Sequence, residues 1–300
     1  MKSASNKVRR ARPLLGTFVE ITASGPLDQQ SLHARIDQAF AVIARVQALM
    51  NFYDPVSDVS RLNLDALRKP VEVDPWTWHV LAMALDFSAS SGGIFDVALA
   101  SRASDRDQRC KHRPLNGGNW KDIALEGERT VRFRRPVMID LGGIAKGFAV
   151  DCAVDALRKA GVDSGAVNAG GDLRVFGQGP HSAHLRHPAE PFRIAHSLKI
   201  KRRAMATSAT YFSRPNRRSS AANLIDGRSG KGMKAGGSVT VMADDCLTAD
   251  ALTKVVFACG ERAADVLAHY QADALILARG GSSRWTFEAS CVIRDQNRSD

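Results

Sequence analysis

Three hundred residues, 44% hydrophobic and 24% charged, are enough for a sizeable core and exclude wholesale disorder. Lys and Arg (42) exceed Asp and Glu (31), a net +11 that favours polyanions, phosphate-rich nucleotides or acidic protein surfaces without choosing among them. Aromatic residues make up only 6%, too few for a base-stacking platform, so no specific nucleic-acid partner is expected.

The chain reads as a basic N-terminal segment (1–13), one domain over 14–290 with room for two subdomains, and a polar C-terminal tail (291–300). Leu14 to Ile21 is β-branched and Gly-punctuated, a first strand. Leu32, Ile36, Phe40, Ile43, Val46 and Met50 recur every three to four residues and form the apolar face of a long helix. Asn51 to Asn63 carries turn chemistry, and Asp74-Pro75 opens a helix to about Ser90 that Gly92-Gly93 ends. Ser101 to Asn119 is polar and highly charged, a candidate surface insertion or mobile loop.

Val137 to Leu141 reads as a strand, followed by a Gly-rich turn and a helix that stops at Gly161. Strand pieces 166–168 and 173–176 flank Gly170-Gly171; Gly177 to Pro191 is a loop. Strands are expected at 193–200, 204–208, 238–242, 274–278 and 285–288, with a basic connector at 214–221 and a helix at 248–259. Strands and helices mix throughout, which points to an α+β or mixed α/β fold with mixed sheets.

Cys110, Cys152, Cys246, Cys259 and Cys291 lie far apart with no CxxC pair, the pattern of reduced thiols rather than of a zinc site or disulfide framework. No apolar run approaches the roughly 20 residues that span a bilayer. The basic start (Lys7, Arg9, Arg10, Arg12) runs into Pro13 without a secretory apolar region. As written the chain is expected to be cytoplasmic, with no transmembrane segment; a periplasmic location would need an export signal removed from its N-terminus.

Asp140-Leu-Gly-Gly-Ile-Ala-Lys-Gly147 runs from strand through paired glycines into a helix, where backbone N–H groups, the helix N-terminus and Lys146 can meet phosphate. It matches neither Walker A nor GxGxxG, and a plain structural turn accounts for it equally well. Asn168-Ala-Gly-Gly-Asp172 is a second Gly-rich connection ending in a carboxylate, or simply a tight turn. In Thr248-Ala-Asp250-Ala-Leu-Thr253-Lys254 a carboxylate could hold Mg²⁺ together with phosphate oxygens; alternatively Thr248 caps a helix with Asp250 set against its dipole. His181, His184 and His187 lack zinc spacing, Ser208 has no GxSxG setting, and the basic runs 199–203 and 214–218 suit solvated faces.

Taken in order, these segments resemble the ApbE family of FAD:protein FMN transferases from about Leu14 to Gly260. The resemblance is carried by residues 15–21, Met50–Ser57 with Arg61-Leu-Asn63, and Gly93-Ile-Phe-Asp96. Asp140–Gly147 with Ala149-Val-Asp151, Val167–Asp172 and Ala206-Thr-Ser208 extend it, and Leu224-Ile-Asp226, Arg228-Ser-Gly230, Ser238–Val241 and Ala249–Leu252 complete it. It implies an α+β fold with two related subdomains around an FAD cleft. It also implies an enzyme that uses FAD as substrate and Mg²⁺ as cofactor, moves FMN to a Thr or Ser hydroxyl of an acceptor flavoprotein, and releases AMP. By family position Asp250 and Lys146 would be catalytic. Asp250, the Ala145 carbonyl and, with a shifted helix start, Thr253 would hold the metal. Tyr53, Ser57, Gly142, Gly143, Lys146, Gly170, Gly171, Asp172, Thr207, Ser208 and Asp226 would line the FAD site.

Two positions depart from the family pattern. Asn223 stands where a His is usual, and a neutral amide is no general base. Lys254 stands where a second metal-ligating Thr is usual, and an ammonium cannot ligate Mg²⁺ but can replace part of its charge. The alternatives are an FAD pyrophosphatase giving FMN and AMP, and an FAD-binding protein with impaired catalysis.

Overall fold

The computed structural model describes residues 6–101, 117–209, 224–233, 237–285 and 293–294. The first strand begins before Leu14: Asn6–Leu14 (β1) pairs antiparallel with Thr17–Gly25 (β2) across Leu15-Gly16, both in left-handed backbone. The stretch read as a basic segment is thus an edge strand. Its arginines divide between the two faces of the strand: Arg9 meets Glu20 of β2, while Arg10 and Arg12 both meet Asp37 of the following helix.

Asp28 caps the long helix Gln29–Met50 (α1), whose predicted apolar positions are all buried. The predicted turn at 51–63 is half right. Ser57 caps a short helix, Asp58–Asp65 (α2), too polar to show a helical period. Val71–Glu72 (β3) follows, then Pro75–Ser90 (α3), capped by Asp74 as expected. Ile123–Glu126 (β4) and Thr130–Phe133 (β5) join β3 in a small antiparallel sheet.

Val137 to Leu141 is not a strand. The Asn63 side chain takes the hydrogen bonds of Ile139 that a ladder would need, donating to Ile139 O at 2.9 Å and accepting from its N–H at 2.7 Å. Ala145–Lys159 (α4) follows, then the hairpin Ser164–Ala169 (β6) and Asp172–Phe176 (β7). Part of the predicted loop 177–191 is strand His181–Arg186 (β8), paired with Ile194–Ile200 (β9); His187 caps the turn after it by accepting from Ala189 and Glu190 N–H. Ala204–Ala209 (β10), Gly237–Ala243 (β11), Cys246–Cys259 (α5), Ala264–His269 (α6), Asp273–Ala278 (β12), Ser283–Trp285 (β13) and Ile293–Arg294 (β14) complete the elements. Residues 102–116 of the predicted insertion Ser101 to Asn119, the connector 214–221, Asn223, Cys110 and Cys291 lie outside the described residues.

Among the described residues, eight strands form one antiparallel sheet in the order β1-β2-β6-β7-β10-β11-β12-β13. Its central strands are covered on both faces, so they read as almost continuous apolar runs whose side chains alternate between two cores. Val167, Ala206, Val241 and Ala274 face the larger core against α1, α4 and α5. Ala166, Met205, Met242 and Leu275 face a smaller one against β8 and β9. None of the described helices is long and apolar enough to cross a membrane.

Candidate active site

Helices α4 and α5 cross at their N-terminal ends. A Cβ on Gly147 would lie 2.2 Å from Cys246 O, so only glycine permits the contact. The first three N–H groups of α5 are satisfied by side chains: Asp245 accepts from Thr248 N at 2.7 Å, and Asp151 of α4 accepts from Cys246 N and Leu247 N. The cap is therefore Asp245 and not Thr248, and Asp151 ties the two helices together. Its trace in the sequence is a lone carboxylate in the apolar run Ala149–Val154.

This crossing places Asp250, fully buried on α5, beside the start of α4. Lys146 Nζ bonds Asp172 Oδ2 and approaches Asp250 Oδ2 at 3.3 Å, and Gly147 N–H donates to the same oxygen at 3.2 Å. Lys254 Nζ bonds Asp250 Oδ1 and donates to Asp250 O at 2.7 Å. Two ammonium groups and two carboxylates thus form one cluster. Burial alone would raise the Asp250 carboxyl, but Lys146 and Lys254 outweigh it and hold it below the usual range. Burial first, then the Asp250 charge, pushes Asp172 up to about 6 despite Lys146. Burial would lower the Lys146 ammonium, yet the two aspartates raise it above its ordinary value.

Asp172 reaches the cluster from the β6–β7 hairpin, whose Gly170 and Gly171 adopt positive φ and whose Asn168 Oδ1 accepts from Gly171 N–H. Thr253 donates to Asp250 O at 2.7 Å and meets Ser208 Oγ at 2.7 Å, bringing two further predicted residues within one shell of Asp250. Gly143 borders the Lys254 stem and Phe95, and Gly142 N–H donates to Asp140. Thr207 points away, to Thr240 at 2.9 Å, and with Gly170, Gly171, Thr17 and Phe18 lines a cavity of about 970 Å³ between the large sheet and β8.

The other predicted residues stand apart. Tyr53 is 64% exposed and so is not a core aromatic. Ser57 is buried, its hydroxyl donating to Asn51 O as it caps α2. Asp226 pairs with Arg228, and the adjoining Gly227 docks on Gly93 and Ile94, so two of the sequence blocks meet.

The residues present do not suit the Mg²⁺ expected at Ala145, Asp250 and Thr253. Both Asp250 oxygens face ammonium groups, and the Thr253 hydroxyl is engaged on both sides. A dication about 4 Å from one ammonium would meet a repulsion of about 8 kcal/mol at an effective dielectric near 20. Among the described residues no group of three His, Cys, Asp or Glu side chains could hold a metal.

An α+β fold that converges two ammonium groups on the glycine-rich start of a helix is a scaffold suited to an anionic ligand. Comparison with known proteins gives the family. The ApbE family matches residues 15–276, and the chain belongs to it. An FAD:protein FMN transferase of Treponema pallidum is 27% identical over 185 residues, 56% of this chain but only about half (51%) of that protein. One of Vibrio cholerae is 26% identical over 289 residues, 86% of this chain and 83% of its own. The crystal structure of the ApbE protein of Thermotoga maritima shares the fold, with a TM-score of 0.79 at 24% identity over 93% of this chain and 96% of that one.

Proposed function

We propose that the chain transfers the FMN half of FAD to a Thr or Ser hydroxyl of an acceptor flavoprotein and releases AMP. The acceptor oxygen forms a bond to the FMN phosphorus, and the bond from that phosphorus to the oxygen bridging to AMP breaks. AMP keeps that electron pair, and the hydroxyl proton passes to solvent. The carrying observation is the convergence of Lys146 and Lys254 on Asp250. Each ammonium has three N–H donors, and the bonds named above use two of each, leaving one apiece to meet diphosphate oxygens.

Positioned positive charge is what such a displacement needs, because charge accumulates on the phosphoryl oxygens and the departing phosphate. Asp250 and Asp172 fix the direction of both ammonium groups, and Gly142 and Gly143 let backbone approach a phosphate closely. Exposed Tyr53 is available to stack on the isoalloxazine ring.

The test is a chromatographic time course of FAD with the full chain, with and without an acceptor flavoprotein domain, in EDTA and in Mg²⁺. AMP release matched by flavin covalently bound to the acceptor supports transfer. Free FMN accumulating regardless of acceptor would make the chain an FAD pyrophosphatase, and bound FAD that stays intact would make it a flavin-binding protein.

A further inference from the structure

Asp250 is 1% exposed, and both its oxygens already face positive charge. Oδ1 receives Lys254, while Oδ2 receives Lys146 and the Gly147 N–H. Lys254 lies one turn beyond Asp250 on the same helix and also holds Asp250 O at 2.7 Å, so the helix itself aims the ammonium. Its side chain is only 16% exposed, and its stem runs beside Gly143. The ammonium therefore fills the ground between the starts of α4 and α5 from which a dication would have to reach Asp250.

We propose that Lys254 is a built-in counter-cation: its ammonium holds the place on Asp250 that a divalent ion would take, and the chain binds the diphosphate of its dinucleotide without one. The identity of the dinucleotide rests on the FMN-transfer reading; the exclusion of metal from Asp250 does not. Lys254 and Lys146 together bring two positive charges, the same number as a dication, and the two carboxylates balance them before ligand arrives. Unlike a metal, this charge cannot be chelated away.

Two measurements test this on the full chain. In the first, Mn²⁺ is titrated into ligand-free protein and followed by electron paramagnetic resonance. Wild type and Lys254→Arg should leave Mn²⁺ free. Lys254→Thr should bind it about tenfold or more tightly than wild type, through a carboxylate released from its ammonium, and Asp250→Asn in that background should abolish the gain. Stoichiometric Mn²⁺ on wild type that Asp250→Asn removes would overturn the proposal, as would a folded Lys254→Thr chain that binds no more than wild type.

In the second, FAD affinity is read from quenching of flavin fluorescence. Wild type should bind equally in EDTA and in Mg²⁺. Lys254→Thr, having lost a charge-assisted contact, should weaken about tenfold in EDTA and recover with Mg²⁺. A tenfold loss by wild type in EDTA would sink the idea, and this arm needs no variant to fold. Wild type that excludes Mn²⁺ yet binds no FAD in either buffer would refute the flavin reading and leave the counter-cation supported.

Discussion

Replacing Asp151 with alanine tests how the two functional helices are joined. The buried carboxylate accepts from Cys246 N at 2.9 and 3.0 Å and from Leu247 N at 2.8 Å, and pairs with Arg174 at 2.9 Å. Burial pushes its carboxyl up to about 7 against the pull of Arg174, but a protonated carboxyl also accepts hydrogen bonds, so alanine removes the acceptors at any pH. Two N–H donors at a buried helix start would lose their partners at about 1–3 kcal/mol each, and the Arg174 pair would go too, for a total of about 4 kcal/mol. Against a whole-domain stability of about 5–15 kcal/mol this is a large fraction, and urea denaturation at pH 7 resolves it easily. Asp151→Asn keeps one acceptor oxygen and should recover about half of the loss. A loss below about 1 kcal/mol for the alanine variant would refute the view that Asp151 ties α4 to α5.

Gly147→Ala should lower stability by about 3 kcal/mol or prevent folding, because its Cβ would strike the Cys246 backbone; a thermal melt within a few degrees of wild type would show that the helices can part. Tyr53→Ala should leave stability within about 0.5 kcal/mol, since the side chain is exposed, but weaken FAD binding about tenfold if the ring stacks on flavin. Titration calorimetry with FAD checks it, and unchanged affinity would remove Tyr53 from the site. Asp172 sets a pH dependence. Its folded value near 6 lies above the ordinary 3.8, so its contribution to stability is full below about pH 4 and is lost as pH rises through 6. Wild type should therefore gain stability relative to Asp172→Asn as pH falls from 7 to 4 in parallel urea titrations, and a constant difference would show that Asp172 does not titrate there.

Much of the fold was legible because it rests on local chemistry. The period of α1, the Asp74-Pro75 start of α3 and the stop of α4 at Gly161 are set by residues a few positions apart, and each was found where its side chains required. The Gly170-Gly171 turn was equally plain, because its positive φ values suit glycine and little else. The β8 strand was hidden by the turn residues around it, and α2 by its polarity. Val137 to Leu141 looked like a strand because it is apolar, but Asn63, distant in sequence, claims its hydrogen bonds.

The candidate site divides the same way. Asp250 and Lys254 are an i,i+4 pair on a helix that the sequence already announced, so their meeting followed from helical geometry. That Lys146 and Asp172 join them, and that Asp151 locks one helix onto the other, depended on three separate segments being folded onto the same sheet. Charges that far apart in the chain come within bonding distance only when the burial of α4 and α5 against that sheet brings them there. No local pattern encodes that burial, because it is the whole core that stabilises it.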